Sequence, residues 1–311
     1  MGNVRLVLFA VSLSVPLQAQ IAHERPPVID VHMHAPASPG PIEDFLPDLN
    51  SWIAEMDRFD VRLSVLMGPP DSVAAWYERT GDRTIPALQF PCENGVSANW
   101  GRPCFEDGGV WPDIGQLRED IESGRVQALG EMGPQYLGLG PSDPLFEPYF
   151  ALADEYDLPD FIHMGPGPPF SAYEENPFDL RAPNYRATAG NPLLLEEALL
   201  KHPKVRVAVL HSGWPLADEM VLMLYQHPRV YAEVGLLQVT DFIPRAEYYS
   251  FLRRLVEAGF ADRILFGSDT VLEEGITAIL EADFLTDEQK EAILCKNAAR
   301  FLRLGEEICS H

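Results

Sequence analysis

The chain has 311 residues, 46% of them hydrophobic and 23% charged, a globular composition too apolar for an intrinsically disordered protein. Its 47 acids against 23 Lys and Arg give a net charge of −24, which argues against a nucleic-acid partner, because binding one needs a basic face that releases counterions. Four cysteines are too few for a disulfide-built scaffold, and none has zinc-ribbon spacing.

The N-terminus carries Arg5, the apolar run Leu6–Leu17 and Ala19 at a cleavage position. A short basic start, an apolar stretch and a small residue read as a signal peptide over residues 1–19. A buried N-terminal helix or a membrane anchor is the competing reading, but the run is shorter than the roughly 20 residues of a membrane span. Cleavage leaves one domain over 20–311, placed in a periplasm or outside the cell, where disulfides persist. No later stretch is long and apolar enough to span a membrane, so no membrane partner is expected after cleavage.

Beyond the leader, short runs rich in Val, Ile, Leu and Phe end in Gly, His or Asp, and an amphipathic segment follows each. The predicted strands are residues 28–32, 61–68, 84–90, 126–133, 158–165, 205–213, 230–236 and 263–269. Near-continuous apolar runs suit parallel strands buried on both faces. Helices are predicted over 43–59, 113–124, 144–156, 192–202, 216–227 and 244–259, with a closing helix over 286–304. Several begin at Pro, Asp or Asn and stop at Gly or His-Pro, as helix ends do. The βα unit recurs about every 34 residues, and eight units in about 250 residues predict an α/β fold, a single-domain (β/α)8 TIM barrel. The rival, an open doubly wound sheet, carries a Gly-rich loop after its first strand, where this chain has Asp30-Val-His-Met-His34. Two long connections, 91–111 and 166–191, follow strand C-terminal ends, on the face where barrel enzymes build their sites.

The eight histidines sort by position. His202 and His227 precede Pro at helix ends and are read as structural, close to terminal carbonyls. His23 and His311 carry no motif. His32, His34, His163 and His211 end predicted strands, as do Glu131 in Leu-Gly-Glu-Met-Gly and Asp269 in Phe-Gly-Ser-Asp. In a barrel these ends converge on one mouth. His32 and His34, two residues apart, point to the same side of their strand. Two imidazoles with a carboxylate suit a borderline-soft divalent ion. The bland alternative is a polar mouth without a metal.

These motifs resemble those of the amidohydrolase superfamily, most closely its amidohydrolase-related branch, which also holds decarboxylases and lactonases. The matching residues are Ile29-Asp-Val-His-Met-His34, Gly130-Glu-Met-Gly133, Ile162-His-Met-Gly165, Leu210-His-Ser-Gly213, Phe266-Gly-Ser-Asp269 and Asn297-Ala-Ala-Arg-Phe-Leu302. They run from the first strand to the last helix. The resemblance implies a metal on His32, His34 and Asp269, with His163 as a further ligand and His211 as the catalytic imidazole. It also implies that Glu131 occupies the place of a group that bridges two ions in binuclear members. Bridging and a supporting role beside a ligand histidine stay equally open for Glu131, as do one ion and two. Zinc leads among the divalent ions considered.

Such a site activates water and polarises a carbonyl. Asp269 then takes the water's proton and returns it to the leaving group, while His211 meets the developing oxyanion. The leading expectation is a metal-dependent hydrolase cleaving a C–O or C–N bond of a small lactone, ester or amide. The alternatives are a decarboxylase or lyase using the same site on a carboxylated substrate, and a binding protein on a degenerate barrel, which the intact set of ligands argues against. The expected partner is a small-molecule substrate, and a homo-oligomer is left open.

Other residues carry paired readings. Trp214 walls the pocket or packs on the barrel rim. Glu233 points into the mouth or, as the favoured reading, forms a structural ion pair. Arg181, Asn184 and Arg186 clamp a substrate carboxylate or are simply solvated. Cys92 and Cys104 bracket a short loop, and a disulfide there would contribute on the order of 3 kcal/mol. For Cys295 and Cys309, free buried thiols are favoured over a bridge pinning the tail to the last helix.

Overall fold

The computed structural model describes residues 25–35, 49–91, 111–167, 169–173 and 182–310. The predicted leader (1–19), Arg181 and the Cys92–Cys104 pair lie outside these residues. Eight strands run in parallel and pair in sequence order. They are β1 Val28–His34, β2 Val61–Gly68, β3 Thr84–Phe90 and β4 Ala128–Met132. The second half is β5 Pro159–His163, β6 Arg206–Leu210, β7 Val230–Glu233 and the two-residue β8 Ile264–Leu265. All eight match predicted runs, and the later ones are trimmed because their Gly- and His-containing ends leave the ladder to form the mouth.

The ring nearly closes between β8 and β1. Val31 N donates to Phe266 O at 3.1 Å, and Asp269 N donates to His32 O at 2.8 Å. Asp30 completes the join from its side chain. It accepts from Ser268 N at 2.8 Å, Ser268 Oγ at 2.7 Å and His32 N at 3.1 Å. A short last strand is thus held to the first by a buried carboxylate as well as by backbone.

Helices cover the outside. They are α1 Leu49–Phe59, α2 Pro70–Thr80, α3 Ile114–Glu122, α4 Glu147–Tyr156 and α5 Glu196–Lys201. The chain continues with α6 Ala217–Gln226, α7 Arg245–Glu257, α8 Leu272–Leu280, α9 Asp287–Glu291 and α10 Asn297–Leu302. Two of these were not predicted. In α2 the Pro69-Pro70 start reads as a loop, yet Pro at the first turn lacks only an N–H that has no helical partner anyway. In α8 the buried Leu272, Ile276 and Ile279 do recur at helical spacing opposite Glu273 and Thr277, but the helix is short and its polar side is confined to a few positions. The predicted closing helix is three pieces, with a π-helical turn at Ala292–Lys296 between α9 and α10. No helix of the described residues is long and apolar enough to cross a membrane.

Two apolar layers result. Outward-facing strand residues such as Leu66, Leu88, Val207 and Val209 pack under the helices with Trp52, Phe150 and Leu252. Inward-facing Ile29, Leu63, Val65, Ala128, Phe161 and Ala208 fill the barrel, where Phe301 and Cys295 join them. Phe301 stands edge-on to Phe161, with ring centroids 5.5 Å apart, so the C-terminal segment plugs the end opposite the mouth. Cys295 and Cys309 form a disulfide with their Cα atoms 5.8 Å apart. The favoured free-thiol reading is corrected: the tail folds back onto the plug and brings two cysteines 14 positions apart into contact.

Asp160 stands out in the outer layer. It is fully buried on β5, between Leu129 and Val207 of the neighbouring strands, and no side chain among the described residues satisfies its carboxyl, which has only the Phe161 backbone close by. Burial pushes its pKa well above the ordinary carboxylate value. The folded protein therefore holds a proton there that the unfolded chain releases above about pH 4. Stability from this group falls as pH rises from that point to the folded pKa, at up to about 1.4 kcal/mol per pH unit. Asp160→Val should stabilise the protein at pH 8 by about 1–3 kcal/mol and flatten that slope. Urea denaturation at pH 5 and pH 8 measures both effects.

Candidate metal centre

His32 and His34 lie on β1, Glu131 on β4 and His163 at the end of β5, while His211 and Asp269 follow β6 and β8. All six predicted residues meet at the mouth. Five are buried, and the Asp269 side chain keeps 16% exposure as the member open to the entrance. The β1 register shifts between Asp30 and Met33. Such a bulge re-aims side chains, so Ile29 and Val31 fill the barrel while His32 and His34 turn together, with Nε2 atoms 3.2 Å apart.

Asp269 Oδ1 is 3.3 Å from His34 Nε2 and 3.8 Å from His32 Nε2. Glu131 spans the other side. Its Oε2 is 3.5 Å from His34 Nε2, and its Oε1 is 2.5 Å from His163 Nδ1 and 3.8 Å from His211 Nε2. Three triads have ligand atoms within 4.8 Å of one another: His32–His211–Asp269, His32–His34–Glu131 and Glu131–His163–His211. Glu131 belongs to two of them, so both of its predicted roles have geometric support.

The electrostatics are those of a cation site. Burial alone would lower the His32 pKa, but Asp269, Glu233 and Glu131 outweigh it and raise it to about 10. Burial likewise opposes ionisation of Glu131, yet His163, His211 and His34 hold its carboxyl well below the usual range. Asp269 is lowered in the same way, against burial, by His32, His34 and His211. Burial lowers His163, whose Nε2 has no hydrogen-bond partner among the described residues. Facing imidazole nitrogens, ionised carboxylates and an orphaned ring nitrogen fit a divalent ion with N and O ligands.

A supporting layer orients these groups. Buried Glu233 accepts from His211 N at 3.0 Å and from Gly235 N, and it lies 3.4 Å from His32 Nδ1. The ion-pair reading of Glu233 is thus the observed one, and its partner is a site histidine. A proton on His32 Nδ1 leaves Nε2 as the atom facing His34. His211 Nδ1 donates to Gly235 O at 2.9 Å, which turns its Nε2 toward the mouth. Gln89 on β3 donates to Glu131 Oε2 at 3.2 Å. His211, Ser212 and Asp269 have φ of 56°, 51° and 43°, left-handed values that cost about 1–3 kcal/mol each in non-glycine residues. Ser212 Oγ–Glu233 O at 2.7 Å and Gly213 N–Met164 O at 2.6 Å help hold that strained turn.

Asp30, Gln89 and Ser268 were not predicted. Asp30 did carry a signal, since it continues the alternating Asp-x-His-x-His spacing. Trp214 packs against the outer core. Arg186 is exposed and donates to Pro183 O and Tyr185 O, and Asn184 is exposed, in keeping with the solvated reading of both. His202 and His227 pair with Glu147 at 3.0 Å and Glu196 at 3.3 Å, as structural residues do.

A barrel with this donor set at its mouth defines a class of metal-dependent enzymes. The amidohydrolase family model matches residues 29–304, so the chain belongs to the amidohydrolase family and is an enzyme of its metal-dependent superfamily. No protein of curated function matches the sequence. Among solved structures, an uncharacterised TIM-barrel protein of Bordetella bronchiseptica superposes with a TM-score of 0.63 at 16% identity, covering 89% of this chain and 98% of that one. A 5-carboxyvanillate decarboxylase of Sphingomonas paucimobilis gives 0.59 at 13% identity, covering 90% and 99%. A probable 2-pyrone-4,6-dicarboxylic acid hydrolase of Acinetobacter baumannii gives 0.58 at 14% identity, covering 89% and 99%. At these identities the structures share the fold.

Gly165 makes the close packing of β5 on His211 testable. A Cβ there would overlap the His211 Cβ, which is not a flexible side-chain end. Gly165→Ala should displace His211 and lower the melting temperature by several degrees, since overpacking costs about 1–3 kcal/mol. Calorimetry with a crystal structure of the variant measures both.

Proposed function

We propose that this enzyme is a zinc hydrolase that cleaves a C–O or C–N bond of a small lactone, ester or amide. The observation that carries the reading is Asp269, ionised and within 3.3–3.8 Å of two facing imidazoles at a buried mouth. His32, His34 and Asp269 would hold the first ion, and Glu131 with His163 would offer an adjoining position for a second, leaving His211 Nε2 free for the substrate. Bound there, a divalent ion lowers the pKa of water to about 7 and polarises a carbonyl.

The protein's own groups do the rest. Asp269 accepts the proton of the attacking water and passes it to the leaving oxygen or nitrogen. Its partial exposure gives it access to substrate. His211, anchored through Nδ1 and the strained turn, presents Nε2 to the carbonyl oxygen as that oxygen gains charge. Burial acts against its protonation, but Glu131 and Asp269 raise its pKa, which favours a proton on Nε2 for donation to that oxygen. Glu233 holds His32 and the His211 turn in place. We propose secretion or a periplasmic location, which the leader pattern and the Cys295–Cys309 disulfide both support.

Asp269→Asn and His211→Ala should each lower kcat about 100-fold or more on lactone or ester substrates while the protein stays folded. Near wild-type turnover in either variant removes that residue from the mechanism. Chelator treatment should abolish activity and zinc should restore it, with elemental analysis reading one or two equivalents. Carbon dioxide released from 2,6-dihydroxybenzoate without any ester or lactone hydrolysis would replace the hydrolase reading with a lyase. Glu233→Gln should weaken zinc binding about 10–100-fold, measured by competition with a chromogenic chelator.

A further inference from the structure

Tyr136 sits in a short 3-10 turn, Pro134–Leu137, that leaves β4 directly above Glu131. Its ring lies 4.9 Å from the His163 ring on one side and 5.5 Å from the Tyr185 ring on the other. Both neighbours are fixed. His163 is held by Glu131 through Nδ1. The Tyr185 hydroxyl accepts from Gly167 N at 2.7 Å and from Gln135 Nε2 at 2.8 Å, and it donates to Gly165 O at 2.9 Å. Gly133 lets the Tyr136 ring lie down on the strand end, since a Cβ there would come within 2.9 Å of the ring. The ring is therefore clamped and the direction of its hydroxyl is set.

That hydroxyl is the contrast with Tyr185. It makes no hydrogen bond to a protein group among the described residues, although the residue is half-buried. A buried structural tyrosine normally directs its O–H at a fixed acceptor. The Tyr136 ring lies against the His163 ring, which is itself 4.8 Å from the His211 ring, so the tyrosine borders the cluster at the mouth. A phenol is protonated at neutral pH, so it can donate where the neighbouring carboxylates cannot.

We propose that Tyr136 is a catalytic residue whose phenol donates a hydrogen bond to the substrate's carbonyl oxygen as it becomes an oxyanion. It acts beside His211, from the β4 side of the mouth, and no proton is transferred from it. The assignment rests on the hydrolase reading for its substrate, but the donor itself is read from binding.

The test compares the zinc-loaded wild type with Tyr136→Phe, which keeps the ring and removes only the hydroxyl. The probe is benzylphosphonate, a stable tetrahedral oxyanion, titrated by calorimetry. Tyr136→Phe should weaken its binding about 10–100-fold and lower kcat for dihydrocoumarin hydrolysis about 100-fold. Zinc content and melting temperature should not change. Equal affinity in both proteins, or binding to neither, overturns the assignment. Phosphonate binding that depends on Tyr136 in a protein that hydrolyses no ester or lactone would reject the hydrolase reading and keep Tyr136 as an oxyanion donor.

Discussion

Three buried carboxylates at the barrel mouth, Glu131, Asp269 and Glu233, set the terms for everything around them. Burial opposes the charges of Glu131 and Asp269, and the neighbouring imidazoles outweigh it. The chain answers with four imidazoles packed between them, whose rings come within 4.8–5.3 Å of one another. The field that drives the His32 pKa to about 10 is the same field that draws in a divalent cation. A metal site and a proton-binding site are here two occupants of one electrostatic well.

Holding such a cluster requires rigidity, and the barrel supplies it through backbone. Left-handed φ values at His211 and Asp269 would relax if their turns were free. Glu233 pins one turn through His211 N, and the hydrogen bond from Asp269 N to His32 O pins the other. Asp30 and Ser268 join the first strand to the last at the same level, so closing the barrel and assembling the site are one event. The C-terminal plug, with Phe301 on Phe161 and the disulfide behind it, stabilises the far end and leaves the mouth free for chemistry.

Much of this was legible in the chain. Strands buried on both faces must be apolar, and their C-terminal ends must turn polar at the mouth, so eight runs and six polar ends could be read directly. The misses have physical causes. Helix α2 hides behind Pro69-Pro70, and α8 is only nine residues long, with few polar positions to mark its period. Gln89, Gln135 and Tyr136 follow no spacing rule, because their importance comes from which strand ends stand beside them.

The sequence by itself determined the repeating βα order and the kinds of side chain delivered to the mouth, because both are patterns between near neighbours along the chain. Only the tertiary structure decided who meets whom. Glu233 reaches His32 across 201 positions and Ser268 reaches Asp30 across 238, and Cys295 bonds Cys309 because the tail folds back on the plug. Those contacts depend on the curvature that closes eight strands into a ring, and no local pattern encodes that curvature.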